Sequence, residues 1–574
     1  MIADCRLTTD DSEIACSRWR VELLAMVFVF LCSGSVLAQA KPEASLIITN
    51  AKVYTVDKAH PEAEALAILG ERIVAVGSNA DIDQWRGANT KVIDARNRLV
   101  LPGFNDAHVH FVSGGLQLDS VDLRDANTPE EFARRISERA KITPKGEWIT
   151  GGDWDEEKWN PPHLPTKELI DAVTPNTPVF VNRYDGHESL ANSAAIKLAG
   201  VTAKTPDPPG GTIVRDAQGN PTGIFKDAAQ SYIDKVIPSL SHERRLRAAK
   251  RALAYAARLG VTSVQDMAVD YADIAVYSEL ASKGELTTRI YAAPLLAGWR
   301  DEAKIGIRHA FGSSYLRIGA MKAFADGSLG STTAYFFQPY TDAPNTRGLL
   351  SDEMHPVSKM RDRMMKADEA GLQLCVHAIG DQAISMILDL FGEVERAHGT
   401  SDRRFRIEHA QHMAAKDFDR FAKMNVIASV QPYHAIDDGR WAERRIGPER
   451  IKTTYAFRTF LQHGVHLAFG TDWTVAPLNP LLTLNAAVTR ATLDGKNPDG
   501  WLPDQKLTLP EAIEAYTMGS AYAEFQENEK GSITPGKLAD IIILSDDITA
   551  MDPRNIPETH VDTTIVGGQV VWSR

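Results

Sequence analysis

Cysteine is nearly missing from this chain. Of four cysteines in 574 residues, Cys5, Cys16 and Cys32 fall within the first 40, and only Cys375 lies beyond them. A chain that starts after that segment forms no internal disulfide, even in an oxidising compartment. Basic excess is missing too: 63 Lys and Arg stand against 75 Asp and Glu, a formal net charge of −12. Without a cationic footprint, nucleic acid is not expected as a partner. No run of one charge sign marks an interaction tail. The apolar run of residues 23–31 is too short to cross a bilayer as a helix. It follows Arg18 and Arg20 and precedes small residues ending in Ala38-Gln39-Ala40, an A-x-A cleavage pattern. Residues 1–40 therefore read as a secretory signal peptide. The expectation is a periplasmic or secreted protein beginning near Lys41, with no stable membrane insertion after cleavage. Asp4, Asp10, Asp11 and Glu13 are acidic where such a segment is usually basic, which fits a start codon further along.

What is present is ordinary globular material, 44% hydrophobic and 24% charged. Short strand-like runs occupy residues 45–49, 51–55, 65–69 and 72–77, and again 540–544 and 564–572, with Gly, Asn and Asp between them. The two strand-rich ends predict one composite β-sandwich from residues 41–101 and 505–574. Between them strands alternate with helical segments, the pattern of a parallel α/β fold. The opening run at 99–110 is followed by strands at 260–266, 288–293, 316–323, 372–377, 405–409, 426–430 and 466–472. About eight strands over residues 102–504 predict a (β/α)8 TIM barrel. Residues 115–245, rich in Pro, Gly and Trp, break the repeat and read as a large insertion after strand 1, covering the barrel mouth.

The opening run, LVLPGFNDAHVH at residues 99–110, ends in two histidines spaced i, i+2. Strand side chains alternate, so His108 and His110 share a face and suit one metal ion. Sixteen histidines in 574 residues make roughly half of one such pair by chance, so the pair alone is a weak signal. Its weight comes from Lys322, His377, His409 and Asp472, which end later strands. In a barrel those ends converge on the active-site face. An uncompensated carboxylate such as Asp472 at a strand end calls for a cation nearby. An inward Lys322 beside a metal must be neutralised or modified. Cys375, on the His377 face one turn of the pleat below, is a packing residue or an additional ligand.

Several stretches together resemble the amidohydrolase superfamily, specifically amidohydrolase family 3, the YtcJ-like and N-substituted formamide deformylase-like group. They are residues 101–110, GGDWD at 151–155, DGH at 185–187, FADGSLGS at 324–331, VHAIGD at 376–381, RIEH at 406–409, FGTDW at 469–473 and GSITPGKLAD at 531–540. The resemblance implies a metal-dependent amidohydrolase, acting on a linear, non-peptide carbon–nitrogen bond through a metal-activated hydroxide. It implies that His108 and His110 bind one metal with Asp472, that His377 and His409 bind a second, and that Lys322 bridges both as an N-carboxylated lysine. A one-metal site with unmodified Lys322 is the alternative. Zinc suits imidazole and carboxylate ligands, and Mn, Fe and Co accept them also. Asp472 is then the catalytic proton carrier and His377 its catalytic neighbour. Asp153, Trp154, His187 and Trp473 are family-type positions expected at the substrate pocket, with Trp154 and Trp159 on an apolar wall. For Trp159 a packed core inside the insertion is an equal alternative. His434 and Arg444 are expected to hold a polar substrate end. The partner is a small-molecule amide, and a homodimer is compatible with the chain. The same site chemistry would also serve a cyclic amide, ester or lactone. A metal-free protein on a retired barrel is the remaining reading, but every expected ligand position is filled.

Overall fold

The computed structural model describes residues 43–118 and 120–574. The signal peptide expected at 1–40 lies outside the described residues. Among the described residues, no helix is long and apolar enough to cross a membrane.

The strand Phe104–Val109 is buried along its whole length. Continuous burial is the mark of a parallel strand covered on both faces. It pairs in parallel with Val261–Met267, which pairs with Arg289–Ala293, and that strand with Leu316–Ile318. A second sheet runs, all parallel, through Ala320–Phe324, Gln373–Ala378, Arg406–His409, Ile427–Val430 and Leu467–Phe469. Gly319 alone separates the two sheets in sequence. Its φ is +111°, and a Cβ there would sit 2.0 Å from the Arg308 carbonyl oxygen, so only glycine lets the chain pass between them. The parallel bridge Leu295–Lys322 reinforces that junction, and the other edges touch through Val109–Trp473. At the second bridge the Asp472 amide donates to the His108 carbonyl at 2.7 Å.

Helices cover the sheets with small residues. His242–Arg258 buries Ala248, Ala249, Ala252, Leu253, Ala256 and Ala257. That stripe lets the helix Phe111–Gln117 approach closely enough for Gly115 to face the Ala248 carbonyl.

Residues of the expected insertion form a six-stranded sheet, ordered Gly211–Arg215, Pro221–Asp227, Glu188–Ala191, Val179–Arg183, Ile149–Trp154 and Val121–Asp122. Trp154 and Trp159 pack with Phe132, Ile136 and Val181 in its core, and both indole N–H groups donate to backbone carbonyls, Val181 and Ala126. Trp154 is therefore not a cavity wall, which corrects the sequence-based expectation. Amphipathic indoles read alike on a wall or in a core until their N–H partner is known.

At the two ends, Leu99–Pro102 lies between Lys52–Tyr54 and Ile541–Leu544 in one sheet. The strand Leu46–Thr49 centres the other. Ile48, Leu66, Val100, Ile541 and Ile565 share one core between the two sheets. The run at 564–572, read from sequence as one strand, is a hairpin of Val561–Val566 and Gln569–Ser573. Gly567 and Gly568, at φ +54° and +72°, supply a turn in which both central residues need positive φ.

Two glycine-to-alanine changes should act in opposite directions. In Gly115→Ala the new Cβ meets the Ala248 backbone oxygen at 2.0 Å, so the variant should lose about 2 kcal/mol through overpacking. In Gly392→Ala, inside the helix Asp381–His398, the nearest atom is the flexible Arg396 guanidinium at 3.3 Å, so about 0.5–1 kcal/mol should be gained. Thermal unfolding of the two proteins measures both, and equal melting midpoints would contradict the packing described.

Candidate metal centre

Six polar side chains from five strand ends face one cavity of about 230 Å³: His108, His110, Lys322, His377, His409 and Asp472. His108 and His110 share a strand face as alternation requires. His409 and Asp472 take φ of +75° and +58°. Non-glycine residues hold that conformation only where their surroundings force it, and such strain collects at functional sites.

The spacing is tight. Lys322 Nζ is 3.3 Å from His108 Nε2. Asp472 Oδ1 lies 3.3 Å from His110 Nε2 and 3.6 Å from His108 Nε2. The His409 and His377 ring centroids are 4.6 Å apart, and those of His409 and His108 4.8 Å. His434 Nε2 approaches Asp472 Oδ2 at 4.0 Å.

The second nitrogen of each ring decides what these contacts are. His108 Nδ1 donates to Glu408 Oε2 at 2.7 Å, and His110 Nδ1 to the Met267 carbonyl at 3.0 Å. Carbonyls and carboxylates only accept, so both rings carry the proton on Nδ1 and a lone pair on Nε2. His377 is turned the other way, with Nε2 donating to the Gly327 carbonyl at 3.1 Å. His409 Nδ1 is held by Gln431 Oε1 at 2.9 Å. Two imidazole lone pairs thus face Asp472 Oδ1, a buried oxygen with no hydrogen-bond partner among the described residues. Lone pairs facing a desolvated carboxylate repel unless a cation lies between them. The groups His108, His110, Asp472 and His409, His434, Asp472 each bring ligand atoms within 4.8 Å of one another. The donor set therefore fits a divalent ion, and the acceptors on the opposite ring nitrogens are the supports that metal-binding histidines use.

Electrostatics agree with that use. Burial, and then the Lys322 charge, pull His108 down to about 4. Burial also holds His377 and His409 well below the usual imidazole range. All three are neutral at pH 7, the form that binds metal. Burial lowers Lys322, against the pull of Glu408 and Asp472. His187 behaves oppositely. Burial lowers it, but Asp227 Oδ1 at 2.7 Å, with Asp185 and Asp326, outweighs this and brings it to about 9.

Of the expected substrate contacts, His187 and His434 line the cavity. Three do not. Asp153 is engaged by Gln117 and by Asn182 Nδ2, and lines a different cleft. Trp154 is in the insertion core. Trp473 packs on Phe111, Tyr255 and Gly114 behind the first strand. Arg444 is tied to Glu157 Oε1 at 2.6 Å, away from the cavity. Cys375 lies in an apolar cluster with Met267, Tyr291 and Ala293, a packing residue.

Sequence reasoning missed the supports. Glu408 is paired with Arg406, whose Nε is 2.8 Å from Oε1. Asp106 accepts from the Thr471 amide, the Thr471 hydroxyl and Tyr516, fixing the first strand to the Asp472 loop. Asp326 accepts from the amides of Tyr335, Ile379 and Gly380, which seats the turn after His377. The available signal was the charged pair Arg406 and Glu408 in a strand buried along its whole length.

Replacing Glu408 by Gln keeps the shape but offers His108 a weaker acceptor and leaves Arg406 without its counter-charge. Metal affinity should fall about 10–100-fold, read by competition with a graded chelator. Affinity equal to that of the unaltered protein would remove Glu408 from the site.

Comparison with known proteins agrees with this geometry. Residues 91–572 match the amidohydrolase family profile. The protein LONG AFTER FAR-RED 3 of Arabidopsis thaliana is 37% identical, covering 92% of each chain. The putative amidohydrolase YtcJ of Bacillus subtilis is 31% identical over 91% of this chain and 98% of its own. N-substituted formamide deformylase of Arthrobacter pascens is 29% identical over 92% and 98%. The crystal structure of an uncharacterized metal-dependent hydrolase from Pyrococcus horikoshii superimposes with a TM-score of 0.73, at 30% identity over 89% of this chain and 99% of that one. On sequence, fold and the donor set of its central cavity, this chain belongs to the amidohydrolase family, among the YtcJ-like and formamide deformylase-like proteins.

Proposed function

We propose that this protein hydrolyses the carbon–nitrogen bond of a small, linear N-substituted amide. The observation that carries the reading is the convergence of His108, His110, His377, His409 and the unpartnered Asp472 Oδ1 on one small buried cavity. The similarity to a formamide deformylase supports a linear amide, and about 230 Å³ suits a small acyl group. The two parallel sheets are read as arcs of one closed (β/α)8 barrel, residues 102–504. Residues 41–101 with 505–574 are read as its β-sandwich, and residues 1–40 as a signal that directs the protein to the periplasm or outside the cell.

His108, His110 and Asp472 would hold one divalent ion and His377 with His409 a second. Lys322 would join them once its Nζ has taken up carbon dioxide, released a proton and become a carbamate. When bound, zinc supplies Lewis acidity, lowering the pKa of water to about 7 and polarising a carbonyl. Asp472 accepts the proton of the attacking water and returns it to the departing nitrogen, so acid and amine leave as neutralised products. The imidazolium of His187, fixed by Asp227, faces the same space and suits the developing negative charge on the carbonyl oxygen. His434 Nδ1 accepts from Gln411 Nε2–H at 3.5 Å, so its Nε2, unpartnered among the described residues, carries the proton and is positioned to donate to the substrate.

The test is a hydrolysis panel on the zinc-loaded protein: N-substituted formamides and anilides against cyclic amides, esters and lactones. Linear amides should be cleaved, and Asp472→Asn should lower turnover by about 10²–10⁴-fold while the protein still folds. His377→Ala should lose metal, read by mass spectrometry, and most turnover with it. Cleavage confined to esters, lactones or rings would replace the proposed substrate class. Full activity in either variant would overturn the mechanism.

A further inference from the structure

A second and larger cleft, about 470 Å³, opens on the other side of the loop that carries Asp472. Thr474 lines it, whereas Asp472 and Val475 line the metal cavity. Its cations are out of keeping with an acidic chain: Arg139, Arg244, Arg247 and Arg251 all border it. Arg247 is held by Glu243 at 2.6 Å. Arg139 and Arg244 are different, since neither guanidinium has a hydrogen bond or ion pair among the described residues. Arg139 sits in the last turn of the helix Pro129–Ile142. Arg244 sits in the first turn of the helix His242–Arg258, where a cation opposes the helix dipole at a cost of about 0.3–1 kcal/mol. Two guanidiniums from different helices, both bordering one cleft and without partners among the described residues, leave charge-assisted donors free for an anion. Trp148, half-buried, lines the same cleft and offers a surface for an apolar or aromatic body. The acids of the cleft do not cancel this charge. Among the described lining residues, Asp153 and Glu147 stand against Arg139, Arg244, Arg247 and Arg251.

We propose that this cleft binds a small organic anion, its carboxylate or phosphate held by Arg139 and Arg244 and its body laid on Trp148. The site is distinct from the metal centre and does not depend on the reaction assigned to it.

Calorimetric titration of the zinc-loaded full chain with benzoate, inorganic phosphate and the neutral isostere benzamide tests it. Benzoate should bind, and benzamide should not at the same concentrations. The double variant Arg139→Gln, Arg244→Gln should bind benzoate at least about tenfold more weakly, as loss of charge-assisted hydrogen bonds requires. Its melting midpoint should be unchanged, because neither guanidinium has a partner among the described residues. Binding of phosphate without benzoate would assign the anion to the phosphate class. The proposal fails if no anion binds, if benzamide binds as well as benzoate, or if the double variant binds the anions like the unaltered protein. The last result would place them on the metal instead.

Discussion

The structure turns on the desolvation of one carboxylate. Asp472 is buried, held at positive φ, and faces imidazole lone pairs with Oδ1 unpartnered among the described residues. A charge taken out of water costs several kcal/mol even after relaxation, unless a counter-charge sits beside it. Lys322 shares the cavity and is drawn to Asp472, but burial works against its charge. The fold therefore contains a place that is unfavourable by itself and favourable around a cation. The neighbouring groups follow from that constraint. The histidines must be neutral to bind, which burial achieves, and they must be oriented, which burial does not. Orientation comes from acceptors on the far ring nitrogens, and each acceptor in turn needs support.

That second layer reaches far from the cavity. Glu408, buried and ionised, requires Arg406. Arg406 donates to Gln265 and to the Ala107 carbonyl, and Gln265 donates to the Ser520 carbonyl. The orientation of one His108 ring is thus coupled through a continuous buried chain to the segment at 515–523 that closes the opposite end of the sheets. Tyr516 repeats the connection through Asp106 to the loop of Asp472. Removing a partner from such a network leaves another buried charge uncompensated, so the network has to be assembled as a whole.

The ligand-type residues were legible in the sequence because each ends an apolar run, where a polar side chain is conspicuous. The parallel strands were legible for the same reason. The supports were not. Alternation puts Glu408 and His409 on opposite faces of a strand, and only φ of +75° at His409 lets both reach the site. A backbone angle of that kind has no signature in residue type. Trp154, Asp153 and Trp473 show the complementary limit. Their motifs marked a neighbourhood correctly, but whether an indole or carboxylate faces a cavity or a core depends on partners more than twenty residues away, such as Val181 and Asn182.

The insertion is more than a cover, because it supplies a charged wall. His187 stands 5.2 Å from the His377 ring, centroid to centroid, and is carried by residues of the inserted sheet. Its partner Asp227 adopts φ of +47°, a strained conformation for a non-glycine residue. Arg183, fully buried, gathers Glu156, Asp185 and Glu188 behind it. Asp185 then accepts from Ser328 at 2.6 Å, which joins the inserted sheet to the turn after Lys322. Three acids around one guanidinium would repel one another in the absence of the arginine, so the wall holds its shape only as a paired unit. The cavity is consequently closed on one side by neutral histidines and on the other by a histidine kept charged by its carboxylates. A carbonyl placed between them meets metal-ligand chemistry on one face and a fixed positive charge on the other, the asymmetry that polarises a carbon–oxygen bond.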